Sequence, residues 1–350
     1  AAASRAAFVG YPRQYIARRG TPPVIDGDVF KAAWQAAPWS EPFQEIRGAE
    51  DAPLGTGPTE EQATRMKMLW DDDYLYVAAV IDLAAGDELV AKFTERNSPI
   101  FHTDSDFEVF VDPAGCCHGY KELELNAINT VWNLMLNRPY SDGGKELGGR
   151  VAKVGEPDYW EVKSQRTATR ITRGALHSSG APAQWCCEIA LAHSDTLPHA
   201  PVQGPAPAVG KCWRINFSRV EKGGAINWVW SPQVVWTPEK GRYTGQVNMH
   251  LPDAWGYVVF ADAAGGLPGA PPASAEAWRD PAWPARRAAA ALYYAAKAYQ
   301  KAQGRLPATA AELEEAGLLR GSNLDDGQVE APRYSVASGD GGGGGGGGGG

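Results

Sequence analysis

The feature that most constrains this chain is a two-residue rhythm that keeps restarting. Thr64–Trp70 is a β-rich run, Asp71-Asp72-Asp73 is a polar turn, and Tyr74–Val80 resumes as a second run. Two such runs joined by three polar residues predict a hairpin. Further runs lie at Asp106–Asp112, Tyr120–Asn126, Thr130–Asn137, Ser164–Thr172, Gln184–Leu191, Lys211–Glu221 and Gly256–Phe260. Segments 142–149, 174–183 and 198–210 are rich in Gly, Pro, Ala or Ser and read as loops. Many short strands with few helices between them argue against a parallel α/β sheet. They predict an all-β fold, an antiparallel β-sandwich of immunoglobulin or jelly-roll type with a short C-terminal helical tail.

Alternation assigns faces. In Asp106–Asp112, Phe107, Val109 and Val111 share one side, and Asp106, Glu108, Phe110 and Asp112 share the other. In Tyr120–Asn126, Leu123 and Leu125 oppose Glu122, Glu124 and Asn126. That polar side is either a solvated face or a binding surface, and the strand alone does not choose. Cys186 and Cys187 are adjacent and must point to opposite faces. The remaining cysteines, Cys116, Cys117 and Cys212, bring the count to five, in spacings that match no zinc or C-x-x-C motif. They read as small buried or loop thiols, with a disulfide from Cys116 or Cys117 left open.

Residues 1–20 read as irregular and 21–264 as the sandwich. Within it, a turn at Asp26-Gly27 precedes Phe30, Trp34 and Trp39, which are expected to seal one end of the core. Residues 265–283 read as a Gly/Pro/Ala linker and 284–320 as a helical hairpin. Arg286–Gln303 places Leu292, Tyr293, Ala296 and Tyr299 at helical spacing, and Thr309-Ala310-Ala311-Glu312 has the capping-box pattern. The pair looks too small for its own core, so it is expected to pack on the sandwich or tether a partner. Residues 321–350 end in ten glycines and read as disordered.

Composition narrows function by exclusion. A net charge of −8 without a Lys/Arg-rich run argues against nucleic acid. No apolar stretch reaches the length of a membrane span. Ala1–Arg5 lack the marks of a signal peptide and the chain reads as a piece of a longer product, so location is not legible from its start. There is no G-x-S-x-G elbow, no H-E-x-x-H helix, no Walker loop and no G-x-G-x-x-G after a first strand.

Several short motifs together carry a family resemblance. Ile25-Asp26-Gly27, Leu69-Trp70-Asp71-Asp72-Asp73-Tyr74-Leu75-Tyr76-Val77, Asp106–Asp112, the W-x-x-E-I-A pattern of Trp185–Ala190, Trp213–Arg219 and Trp255-Gly256-Tyr257 resemble a family 9 carbohydrate-binding module, within the DOMON-like superfamily. Phe101-His102, Tyr120–Ala127, Asn129–Trp132, Trp228–Pro232 and Asn248–Pro252 are similar to an uncharacterised family 9-like subgroup. The resemblance covers about residues 20–260. It implies a sandwich that binds the ends of glucan- or xylan-type chains, often beside a glycoside hydrolase and often with calcium. It also implies an extracytoplasmic location through that function. Family members clamp the sugar between two tryptophans; those positions fall near Phe101/His102 and Met249/His250 here, and a sugar-bonding arginine falls near Glu124.

Together these readings give candidate ligand residues. Glu122, Glu124, Asn126 and Asn129 offer acceptors and amides, Trp132 and Trp230 offer walls, and Arg219, His102 and His250 offer donors. Each has a plainer role as a cross-sheet ion pair, a turn stabiliser or core. Asp106, Glu108 and Asp112 are the candidate calcium ligands, although no compact loop of the EF-hand kind supplies the six to eight oxygens that calcium takes. Three other functions stay open: hydrolysis by paired carboxylates such as Glu108 with Glu124, haem ligation by His102 with Met249, and a protein-interaction module.

Overall fold

The structure, a computed structural model, describes residues 8–163 and 166–320. The chain divides into two compact units. Among the described residues the larger comprises 10–163, 166–234 and 244–279, and the smaller comprises 8–9, 235–243 and 280–320.

The larger unit is built on one sheet. Its strands are β1 (Gln14–Arg19), β2 (Gln44–Glu45), β3 (Thr64–Trp70), β4 (Tyr74–Leu83), β5 (Asp106–Asp112), β6 (Tyr120–Asn126), β7 (Val131–Leu136), β8 (Glu146–Leu147), β9 (Thr167–Arg173), β10 (Ala183–Ala192), β11 (Cys212–Glu221), β12 (Ile226–Val229) and β15 (Gly256–Ala261). They run in the order β8-β7-β6-β5-β11-β15-β1-β3-β4-β10-β9, with β12 on β11 and β2 on β12. Between β12 and β15 in the chain, β13 (Val234–Thr237) pairs with β14 (Arg242–Gly245) as a separate two-stranded sheet.

The sheet is mixed, which corrects the antiparallel expectation. β1 lies in the segment expected to be irregular. It runs parallel to β15, from Gln14↔Tyr257 to Arg18↔Ala261, and parallel to β3 at Arg18↔Leu69. Parallel strands are covered on both faces: Tyr15 and Ala17 face the main core while Ile16 faces a separate outer cluster. The two layers are wings of this one curled sheet. Met66, Met68, Val77, Trp185 and Ile189 from one wing share a core with Phe107, Val109, Leu123, Leu125 and Val131 from the other. Phe107, Val109 and Val111 do face inward. Cys187 joins this core and Cys186 the outer layer beside Trp34. All five cysteines are free thiols, so neither Cys116 nor Cys117 forms a disulfide.

The Asp26-Gly27 turn and Trp34 cover the outer face of β3, β4 and β10 rather than one end of the core. One side chain fastens them. The Glu188 carboxylate on β10, fully buried, accepts the N–H groups of Asp26 (2.8 Å) and Gly27 (2.7 Å), the Trp34 indole N–H (2.6 Å) and the Lys31 ammonium (2.8 Å). Gly27 has φ +83°, and a Cβ there would lie 2.9 Å from the Thr169 carbonyl carbon. These contacts explain physically why the Ile-Asp-Gly and W-x-x-E-I-A motifs belong together: one is the lid and the other its anchor.

Two further expectations change. The segment 265–283 contains α2 (Pro272–Ala275), which follows the short α1 (His193–Thr196) in the chain. Leu267 and Ala275 are buried against Ile16, Val259 and Ala261, so this stretch docks on the sheet instead of swinging free. The helices α3 (Trp283–Gln303) and α4 (Ala310–Glu315) have a core after all. Ala291, Ala295, Tyr299, Leu313 and Leu319 surround Trp236, whose indole donates to the Leu318 carbonyl at 2.9 Å. The core is completed by residues 235–243, an insertion that helical spacing could not reveal. The disordered glycine-rich end expected at 321–350 and the first seven residues lie outside the described residues. Among the described residues no helix is long and apolar enough to cross a membrane.

Candidate functional site

Antiparallel register brings acids together on the outer face of β5 and β6. Glu108 lies directly opposite Glu124, and Phe110 opposite Glu122. Glu124 in turn pairs with Trp132 on β7, and Glu108 with Ser218 on β11. Like charges placed opposite each other in a sheet repel, yet Asp106, Glu108, Glu122 and Glu124 are 0, 4, 6 and 2% exposed. One oxygen each from Asp106, Glu108 and Glu124 lies within 4.8 Å of the others. Asp106 Oδ1 accepts the Val220 N–H at 3.0 Å. Asp106 Oδ2, Glu122 Oε2, Glu124 Oε2 and the Trp132 indole N–H have no partner. Burial pushes the Glu108 carboxyl up to about 7. Burial, then the neighbouring carboxylates, pushes Glu122 to about 8 and holds Asp106 and Glu124 well above the ordinary range.

Above this floor opens a cleft of about 530 Å³. The tight turn Ile100–His102 supplies Phe101, which stacks on Trp132 at 4.2 Å between centroids and 21° between planes. The Arg150 guanidinium lies 4.7 Å from the same indole centroid and pairs with Glu146. Tyr140, 42% exposed, meets His250 edge to face at 4.7 Å and donates its hydroxyl to Glu146 at 2.6 Å. His250 Nδ1 shares a 3.0 Å hydrogen bond with the Tyr120 hydroxyl, and burial holds its imidazole down at about 4, so it is neutral at pH 7.

Of the residues expected at a site, His102, Glu122, Glu124, Trp132 and His250 line this cleft. Both pairs aligned with the family's tryptophans, Phe101/His102 and Met249/His250, are among its walls. Asn126, Asn129, Arg219 and Trp230 are not. Asn126 donates to the Phe93 carbonyl and Asp104, and accepts from the Ile128 and Thr130 N–H groups, so it shapes the turn after β6. Asn129 occupies the left-handed region at φ +66° and bonds Thr167. Arg219 is buried against Glu221 at 2.9 Å and the Gln62 carbonyl, with its guanidinium 5.1 Å from the Trp228 centroid. Trp230 packs edge-on against Phe217 in the main core.

Trp132 is a wall with its ring already engaged by Phe101 and Arg150. Of the expected metal ligands, Asp106 and Glu108 cluster with Glu124 rather than with Asp112. Asp112 sits at the far end of β5 and accepts the Cys117 N–H, tying the following turn. Tyr140, Glu146, Arg150, Asn227 and Asn248 also line the cleft and were not candidates from the sequence, while Phe101 entered only as a position aligned with the family's clamp. A signal for the missed residues was Tyr140, an aromatic in a Pro/Gly-rich loop, where binding residues concentrate. A second cleft of about 550 Å³ includes Arg96, Asn97 and Glu161. There the Glu161 carboxylate is already bonded by Arg96, Asn97 and Asn133.

Residues 25–135 match the family described as carbohydrate family 9 binding domain-like. The resemblance read from the motifs is thus shown over β2 through most of β7, the stretch that holds the acidic floor. Similar solved structures include a candidate carbohydrate-binding protein from Bacteroides uniformis ATCC 8492, at 12% identity and TM-score 0.46, covering 71% of this chain and 99% of that one. A family 9 carbohydrate-binding module from Caldicellulosiruptor kristjanssonii in complex with cellotriose is similar at 16% identity and TM-score 0.38, covering 71% and 94%. Its complex with glucose gives the same identity and score, covering 71% and 96%. No curated protein matches the chain.

Proposed function

We propose that the chain is a non-catalytic carbohydrate-binding module whose cleft takes a plant- or cell-wall-type polysaccharide or its chain end. The observation that carries this reading is one cleft with a floor of buried acceptors and a rim of Phe101, Tyr140 and His250. Pyranose hydroxyls donate to carboxylates, and the apolar C–H face of the ring packs on an aromatic wall. The family match at residues 25–135 supports it.

The competing chemistries fit this cleft less well. A glycosidase needs two carboxyls flanking the scissile bond, whereas Glu108 and Glu124 project side by side from adjacent strands of one floor. His102 and Met249 do share the cleft, but a porphyrin there would rest on the buried carboxyl groups of Glu108, Glu122 and Glu124.

Affinity electrophoresis against soluble glucans and xylans tests the reading. The protein should be retarded by at least one of them. Tyr140→Ala, which removes an exposed wall and no core, should weaken that interaction about tenfold, as loss of an aromatic contact worth about 1.4 kcal/mol. Folded protein that migrates unretarded in every polysaccharide refutes it.

A further inference from the structure

We propose that the second cleft is a further sugar subsite, taking a neutral pyranose unit, so that the module grips a polysaccharide at two points. The inference rests on the carbohydrate-binding reading above, but none of the residues lining this cleft was a candidate from the sequence. The cleft of about 550 Å³ is bounded by the segment 148–163 and by α1. Its walls are pinned. The Glu161 carboxylate accepts from Arg96, Asn97, Asn133 and the Gly149 N–H, and the Asn133 amide oxygen accepts the Val162 N–H at 2.8 Å. Trp160 and Val162 pack into the main core. A pocket fixed in this way needs little ordering when a ligand enters.

The groups these bonds leave over have the chemistry of a sugar site. Asp195 is 5% exposed; its Oδ2 accepts the Lys163 N–H at 3.1 Å, and its Oδ1 has no partner. Buried acceptors are normally bonded, and a pyranose hydroxyl is a donor of the right kind. The exposed Lys163 ammonium and Ser194 hydroxyl line the same cleft and can donate to ring and hydroxyl oxygens. Tyr159, half-buried and outside the core, offers a flat wall to the C–H face of the ring. Charge selects a neutral ligand. Arg96 and Lys163 offset Glu161 and Asp195, so a phosphate or a basic peptide meets no net attracting field. The two clefts are neighbours: Gly149 lines the second, and the next residue, Arg150, lines the first. Two weak contacts made by one polysaccharide bind far more tightly than either alone.

Isothermal titration of the full chain with cellotriose and with xylotriose, beside affinity electrophoresis in soluble glucan and xylan, tests the subsite. Two trisaccharides per chain are expected for at least one of the two sugars. Tyr159→Ala in the second cleft and Tyr140→Ala in the first should each leave one. Tyr159→Ala should also weaken retention by the polymer about tenfold, because attachment at two points is lost. Asp195→Asn, close in shape, should weaken the second trisaccharide at least about fivefold. Circular dichroism and the thermal midpoint confirm that the variants are folded. One trisaccharide per chain, with Tyr159→Ala and Asp195→Asn retained by the polymer as the parent is, overturns the subsite and leaves the reading of the first cleft standing. A folded parent that binds neither the trisaccharides nor the polymers overturns both.

Discussion

Replacing Glu188 with Ala should cost the larger unit about 4–6 kcal/mol. The carboxylate accepts from Asp26 N, Gly27 N, the Trp34 indole and Lys31 at 2.6–2.8 Å, and it is fully buried. Hydrogen bonds to a charged acceptor are worth about 1.5–3 kcal/mol each, and removing one side of a buried ion pair costs about 3–5 kcal/mol. The terms overlap, because desolvating the carboxylate opposes them, so the sum lies nearer the ion-pair figure than four separate bonds. The truncation leaves the Gly27 and Trp34 donors facing an apolar gap and loosens the layer of Val29, Trp34 and Ala37. Glu188→Gln keeps one acceptor oxygen and should cost about 2–3 kcal/mol. Lys31→Met leaves the three N–H donors in place and should cost about 1–2 kcal/mol. Against a total of about 5–15 kcal/mol for a domain, the Ala variant approaches unfolding. Urea titration followed by tryptophan fluorescence at pH 7, with equal m-values required, gives the ranking. An Ala variant that loses under about 1.5 kcal/mol, or no more than Lys31→Met, refutes the anchoring argument.

Gly27→Ala should destabilise by about 2–3 kcal/mol in the same titration, since φ is +83° and the new Cβ meets Thr169 backbone at 2.9 Å; a neutral result contradicts the close approach. His250 gives a pH signature. Its folded value is depressed to about 4 by burial against about 6.5 unfolded, so its contribution is complete above pH 6.5 and is lost as pH falls towards 4. Between pH 7 and 4.5 the parent should therefore lose about 2 kcal/mol more stability than His250→Gln; parallel losses count against a buried neutral imidazole.

Much of the architecture was legible because strand alternation is local. β3, β5 and β6 begin and end where their residue pattern says, and the split of Cys186 from Cys187 follows from the pleat alone. The candidate site was half legible. Alternation put Glu122 and Glu124 on one face and Leu123 and Leu125 on the other, but it could not say that the polar face is roofed by Phe101, Tyr140 and His250. Nor could it place Arg219 or Trp230: a strand buried on both sides gives Arg219 no outward mark, and Trp230 lies just past the end of β12. β1 was invisible for another reason: its partners β3 and β15 lie about 50 and 240 residues away, and parallel pairing leaves no turn signature.

The chain by itself determined which residues form strands and which side chains share a face, because those depend on steric preferences a few residues long. Tertiary structure decided which face became core and which strands became neighbours, and so which carboxylates met. Asp106 and Glu108 come near Glu124 only through the β5–β6 register, a long-range choice set by packing the whole curled sheet around one core.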